Sequence, residues 1–386
     1  MSAAERPDRV GTAIIGGGIT GLCLARCLAE EGAEGTDIAI FDDGRDAGSS
    51  ANAGSLHVQI QSRFMQVYPD MVAAVERALP LYCQAVDEWR ALSQALPESI
   101  ELSVTGGLMV AENAAQLSAL ERKCAREATL GLPVEMLDRA DLDRVAAYLG
   151  PRVLGAELCR IEGKMNPLAA NRALRRAVLD AGVRIFAGAR VDGIEPDGSA
   201  YRLHIGGGHV HAERVAIAAG AGAAKLARSL GLTIPVRAET LHMNVTAPVA
   251  PLVGHLVQHA DRMITLKQLA SGHIVIGGGW PAAPAGRGGP PAVLAESLVG
   301  NTSLAADIVP AVAGLELLRS WAGVNPTADG LSILGAADRD PGVFFSIPGD
   351  AGYTLGPLVA RLVAGLMAGR APAFDIQPYR PERFAA

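Results

Sequence analysis

Val10-Gly-Thr-Ala-Ile-Ile-Gly-Gly-Gly-Ile-Thr-Gly21 reads as a buried strand that runs into a glycine-rich turn and then a helix. Gly16, Gly18 and Gly21 fall at the G-x-G-x-x-G spacing. The first glycine permits a tight turn, the second lets backbone approach a pyrophosphate, and the third lets the helix pack closely on the strand. The helix from about Leu22 to Glu31 would aim its positive N-terminal end at that diphosphate. A second strand, Asp37-Ile-Ala-Ile-Phe41, ends at Asp42, near the spacing of about 20 residues at which an acid holds the ribose. Strand, glycines, helix, strand and terminal acid in one βαβ unit predict a dinucleotide-binding site.

At 386 residues and 39.8 kDa the chain has room for two domains, or one large domain with an insertion. Hydrophobic residues at 49% with 19% charged residues are the balance of a soluble globular protein. The net charge of −6 and a pI near 5.8 argue against nucleic acid or an anionic membrane as partner. Met1 to Arg9 is polar and lacks the apolar core of a signal peptide. Pro357 to Met367 is interrupted by Arg361 and too short to span a bilayer. A cytoplasmic protein without a transmembrane segment is expected. The five cysteines include no C-x-x-C pair, and Cys23 and Cys27, one helical turn apart, read as core packing. No disulfide framework, iron–sulfur centre or metal site is expected.

Downstream, the spacing of Val72, Val75, Leu79, Leu81 and Val86 predicts a helix over 71–95, and further helices are predicted over 114–129 and 168–181. Arg214-Val-Ala-Ile-Ala-Ala-Gly-Ala-Gly222 reads as a buried parallel strand ending in a glycine turn. From Pro235 to about Leu318 the pattern becomes antiparallel, with strands at His242–Thr246, Met263–Leu269 and His273–Gly277. The α/β pattern then returns, with strand Val343–Ile347, a glycine-rich turn Gly349–Gly356, and a helix from Pro357 to Gly369. The expected fold class is α/β. A discontinuous Rossmann-like nucleotide domain (1–95, 150–228 and 322–386) would carry an inserted antiparallel-sheet substrate domain (96–149 and 229–321).

Ala13-Ile-Ile-Gly-Gly-Gly-Ile-Thr-Gly21, Ser49-Ser-Ala-Asn-Ala-Gly54, Ala218-Ala-Gly220, Trp321-Ala-Gly-Val-Asn-Pro-Thr-Ala-Asp-Gly330, Gly352-Tyr-Thr-Leu-Gly-Pro357 and Phe374-Asp-Ile-Gln-Pro-Tyr-Arg-Pro-Glu-Arg-Phe384 carry a resemblance over nearly the whole chain. With them, the sequence resembles the FAD-dependent amine and amino-acid oxidoreductases, the family of glycine oxidase, sarcosine oxidase and D-amino-acid dehydrogenase. Ser55-Leu-His-Val-Gln59, Thr265-Leu-Lys-Gln268 and Ile276-Gly-Gly-Gly-Trp-Pro281 look most like the flavin subunits of heteromeric opine oxidase, D-hydroxyproline dehydrogenase and hydrogen cyanide synthase.

The resemblance implies non-covalent FAD, since no cysteine follows Cys159 to tether it in the C-terminal third. Gly16, Gly18, Ile19, Thr20 and Gly21 would hold the pyrophosphate, and Asp42 with Asp43 the adenosine ribose. Ser50, Ala53, Gly54 and Ser55 would lie along the cofactor, Val191 at the adenine, and Ala219 and Gly220 at the second glycine turn. Asp350, Ala351, Gly352, Tyr353 and Thr354 would lie at the flavin's pyrimidine edge. Where relatives carry Gly-Leu-Arg-Pro, with an arginine that clamps the substrate carboxylate, this chain has Gly323-Val-Asn-Pro326. Asn325 supplies no charge, so His57, Arg63, His242 and Lys267 join it as candidate substrate contacts, and each also reads as a solvated or core-packed side chain. His57, Lys267 and Tyr353 are the candidate catalytic side chains. The implied reaction moves hydride from an amine or amino-acid Cα–H to the flavin and leaves an imine that hydrolyses. Partner subunits would carry the electrons onward. A self-sufficient amine oxidase and a flavin monooxygenase are the alternatives.

Overall fold

The computed structural model describes residues 6–45, 48–284 and 290–384, except the side chains of Ser62, Arg63 and Val67. Its first sheet runs in the order Ile333–Ala336, Val343–Ile347, Gly208–Ile217, Arg9–Ile15, Ile38–Asp42, Arg184–Ala187. The last five of these strands are mutually parallel. Alternate side chains divide the core in two, as strand geometry requires. Ile14, Ile40 and Ala216 face a cluster with helices Ile19–Glu30, Val72–Ala95, Pro167–Asp180 and Gly352–Met367. Ala13, Ile15, Phe41, Val215 and Ile217 face a second cluster under the hairpin Val191–Asp197/Ala200–Ile205 and helix Ala223–Ser229. Burial on both faces is why these strands read as unbroken apolar runs. Neighbours of Arg9–Ile15 lie on both sides, so the chain leaves its C-terminal end at a topological switch point, where α/β sheets open a crevice.

The second sheet has the order Leu317–Thr327, Arg237–Thr246, Ile274–Gly277, Thr265–Gln268, Leu256–His259, Gly107–Ala111, Gly155–Cys159, Val134–Asp138. It is antiparallel except where Leu256–His259 runs parallel to Gly107–Ala111. Two strands depart from the boundaries expected at 150 and 322: Gly155–Cys159 lies past the first, and Leu317–Thr327 crosses the second. Gly155–Cys159 is paired on both edges inside this sheet. Leu317–Thr327 pairs with Arg237–Thr246 along its length, so no break falls at 322.

A second difference concerns the last helix, which begins at Gly352 and not at Pro357. Pro357 has no N–H for the carbonyl four residues back, which is that of Tyr353. The indole Nε1 of Trp89 takes that place, donating to Tyr353 O at 3.0 Å and to Thr354 O at 3.2 Å. No helix among the described residues is long and apolar enough to cross a membrane.

Candidate active site

A cavity of about 1010 Å3 opens at the switch point, between the glycine turn and the second sheet. At one end lie Gly16, Gly18, Ile19 and Thr20, with Asp42, Asp43, Ser50, Ala53, Val191, Ala219 and Gly220 around them. At the other lie Ser55, His57, Asp350, Ala351, Gly352, Tyr353 and Thr354, and Leu241, His242, Met243 and Asn325 complete the lining. The sequence-predicted residues thus converge on one space, with four exceptions. Gly21 packs helix on strand, since a Cβ there would stand 1.9 Å from Gly16 O. Gly54 adopts φ +75 and presses on Met165 O, where a Cβ would approach to 2.4 Å. Lys267 is buried behind the cavity wall, and Arg63 has its side chain outside the described residues.

The glycine end fits a dinucleotide. Gly16 sits at φ +111 with a virtual Cβ 2.4 Å from Ala218 O, and a Cβ on Gly17 would lie 2.4 Å from Asp42 Oδ2. Backbone therefore forms the floor, and the Asp42 carboxylate closes over it. Ser49 is a residue the spacing did not single out. Its Oγ accepts the Ile19 N–H at 2.8 Å, taking one of the helix's free amides and tying the 48–54 loop to the glycine turn. Asn171 Nδ2 holds the same loop through Ser49 O at 2.9 Å. Because the contact spans 30 residues, no local pattern announces it.

The other end is built from buried polar groups. His57 N–H donates to Thr354 Oγ1 at 3.1 Å, while its Nδ1 is buried without a partner. Burial, helped by the Lys267 charge, lowers the His57 imidazole from 6.5 to about 3. His242 is 0% exposed, on the same strand face as Asn244; burial lowers it too, against the pull of Asn244. Both rings are neutral at neutral pH, and His57 Nδ1 is left with unused hydrogen-bonding capacity. The pH profile of kcat/KM is therefore expected to show no limb from His57 between about pH 5 and 8. Stability should behave differently. The unfolded chain protonates this histidine below 6.5 and the folded chain only near 3, so stability is present above 6.5 and is lost as pH falls through that window. Thermal unfolding against pH should show a shallower acid limb in His57→Gln; an unchanged limb would count against a neutral buried ring.

Behind His57, Glu162 holds the segment in place. Its Oε1 accepts from Val58 N at 2.7 Å and Gln59 N at 3.1 Å, and its Oε2 from Gln59 Nε2 at 2.9 Å and Gln258 Nε2 at 3.0 Å. Burial pushes this carboxyl up to about 7 against the pull of those donors. Next to it, Ile60 N donates to Glu127 Oε1 at 2.8 Å, and Lys123 pairs with Glu157 at 2.8 Å and Glu127 at 3.0 Å. None of these acids stands out in the sequence, because their partners are scattered from 58 to 258.

Two candidate roles need correction. The Tyr353 phenol donates to Pro167 O at 3.0 Å, and its ring stacks on Trp89 at 5.4 Å. It is a core side chain at 4% exposure, so a catalytic part for the phenol does not fit; its place at a helix N-terminus does. Lys267 is 1% exposed, does not line the cavity, and donates to Ser55 Oγ at 2.5 Å. Burial, then the charge of Lys164, holds its ammonium well below the usual lysine range. Direct capture of a substrate carboxylate is out of its reach; its effect on the cavity passes through Ser55. The buried thiols of Cys23 and Cys27 are pushed up by burial, Cys27 to about 12, as packed helix residues.

Comparison with known proteins places this geometry. The chain is 29% identical over 381 residues to a glycine oxidase of Geobacillus kaustophilus, covering 96% of each. The crystal structure of glycine oxidase from that organism superposes with a TM-score of 0.84 at 26% identity, over 98% of this chain and 100% of the other. A subunit of the opine oxidase of Rhizobium meliloti is 29% identical over 391 residues, 97% of each chain. The beta subunit of sarcosine oxidase from Rhizobium meliloti is 25% identical over 386 residues, 96% of this chain and 87% of the other. The family of FAD-dependent oxidoreductases matches residues 12–366. The chain belongs to that family, and FAD is its cofactor.

Proposed function

We propose that this enzyme oxidises a secondary amine or amino acid, of the opine, D-amino-acid or hydroxyproline kind, and works as the flavin subunit of a heteromeric dehydrogenase. The observation that carries the reading is the joining of the two ends of one cavity. A glycine turn with Asp42 at one end meets a chamber with the neutral imidazole of His57 at the other. When bound, FAD supplies the two-electron acceptor for hydride from the substrate Cα–H. The chain does the rest. Asp42, at the end of its strand, would hold the ribose, and the first amides of helix Gly352–Met367 offer positive potential where negative charge develops. Neutral His57 can accept a hydrogen bond from a substrate N–H. Leu241 and Met243, on the strand that carries His242, shield the chamber from water.

The names of the relatives support both halves of the proposal. Glycine, sarcosine and opines are amine or amino-acid donors, and two of the relatives are named as subunits. The isolated chain loaded with FAD should reduce an artificial dye with one of these donors while forming little hydrogen peroxide. Peroxide at rates matching dye reduction would instead establish a self-sufficient oxidase and sink the heteromeric part.

A further inference from the structure

A second cavity, of about 350 Å3, lies beside the first and is separate from it. Adjacent residues of one strand point to opposite sides, as alternation demands: Lys267 reaches Ser55 in the wall of the first cavity, and Gln268 lines the second. Its walls are fixed by hydrogen bonds. Gln268 Oε1 accepts from Leu252 N at 2.6 Å and Val253 N at 3.0 Å, while its Nε2 donates to Val249 O and Gly272 O, each at 3.1 Å. Ser103 and Lys164 exchange backbone bonds of 2.8 and 2.9 Å. The space is preformed, as small-molecule sites usually are.

Two opposite charges line it without neutralising each other. Lys164, 7% exposed, donates to Gly254 O at 2.7 Å and Val253 O at 3.2 Å, and no carboxylate among the described residues stands within 4.0 Å of its ammonium. Glu101 accepts from Asn166 Nδ2 at 2.9 Å through Oε1, but its Oε2 is buried with no partner. Glu101 is also the one non-glycine among the described residues held at a left-handed backbone angle, φ +55. Such strain persists where the surroundings over-determine it, and it gathers at binding sites. An ammonium held by two carbonyls and no carboxylate, and a carboxylate oxygen with no partner, both on residues that line one small cavity, suit a ligand that carries both complements.

We propose that this cavity is a second binding site, for a small zwitterion such as an α-amino acid, with the ligand carboxylate on Lys164 and its ammonium on Glu101. Lys164 lies across the two-stranded ladder from Ser55, the hydrogen-bond acceptor of Lys267, so the site abuts the wall of the flavin cavity. The test is binding, independent of what the larger cavity oxidises. Equilibrium dialysis of the FAD-loaded chain would use radiolabelled glycine and proline, with acetate and ethylamine as half-molecules. At least one amino acid should saturate a site that weakens about tenfold or more in both Lys164→Met and Glu101→Gln. Acetate and ethylamine should bind about tenfold more weakly than that amino acid in the wild type. Ala270→Trp, which fills the cavity from its rim, should abolish the same binding and serves if either charge variant fails to fold. Amino-acid binding that ignores all three substitutions, no amino-acid binding at all, or acetate bound as tightly as the amino acid would each overturn the proposal.

Discussion

Gly16→Ala is expected to yield a folded but colourless protein. Gly16 lies at φ +111, a conformation that L side chains rarely adopt, and its new methyl would meet Ala218 O at 2.4 Å and Ala218 C at 2.8 Å. Those atoms are backbone at the end of the neighbouring parallel strand, so relief requires moving the strand that forms the cavity floor. FAD affinity should fall by at least about a hundredfold, or about 2.8 kcal/mol at 1.4 kcal/mol per decade. Flavin fluorescence titration measures this, with circular dichroism confirming the fold. Gly18→Ala should cost less from the protein side, because its methyl meets a side-chain atom, Ser49 Oγ at 2.8 Å, and not backbone, so that relief gives up only the bond from Ile19 N–H. Wild-type protein should release its yellow cofactor to the supernatant on acid precipitation. Stoichiometric flavin in Gly16→Ala would show that the glycine turn is not the dinucleotide's seat.

Glu162→Ala should destabilise the fold by at least about 3 kcal/mol, since each buried donor left unsatisfied costs about 1–3 kcal/mol. Four donors lose their acceptor at once, two of them backbone amides on the stretch that carries His57. The site is also closed to rearrangement from one side, since Gly107 already lies so near that a Cβ would come within 1.8 Å of Glu162 Oε2. Glu162→Gln keeps the shape but aims an amide N–H2 at other donors, and should lose about 1–3 kcal/mol. Denaturant unfolding followed by tryptophan fluorescence reads both. Wild-type stability in Glu162→Ala would mean that the 57–60 segment is held by something else.

The contrast between these two residues shows what a single sequence can reveal. Gly16 belongs to a contiguous pattern in which each residue's duty is set by near neighbours, so strand, turn, helix and acid are legible together. The second sheet is legible as antiparallel from alternation, but its edges are not. Leu317–Thr327 continues past 322 because its partner Arg237–Thr246 is equally long, a fact about pairing and not about composition. For Tyr353 the sequence points to a catalytic side chain in a glycine-rich turn, whereas the residue lies in the first turn of a helix with its phenol bonded to Pro167 O. The helix start that buries its ring depends on the indole N–H of Trp89, 264 residues away. Lys267 reads as a cation in the right neighbourhood, yet its burial against Ser55 follows from which face of its strand points inward. Glu162, Glu127 and Glu157 look like ordinary surface acids until folding gathers their donors.

Anaerobic addition of amines and amino acids to the purified, FAD-loaded chain tests the central claim most directly, because bleaching of the visible flavin spectrum reports electron transfer from substrate without a partner or an acceptor. A panel of glycine, sarcosine, D-proline, hydroxyproline and opines should include at least one compound that bleaches the flavin fully and saturably, with the same change lost in Gly16→Ala. A flavin that stays oxidised with every amine and amino acid, while dithionite reduces it, would contradict the account.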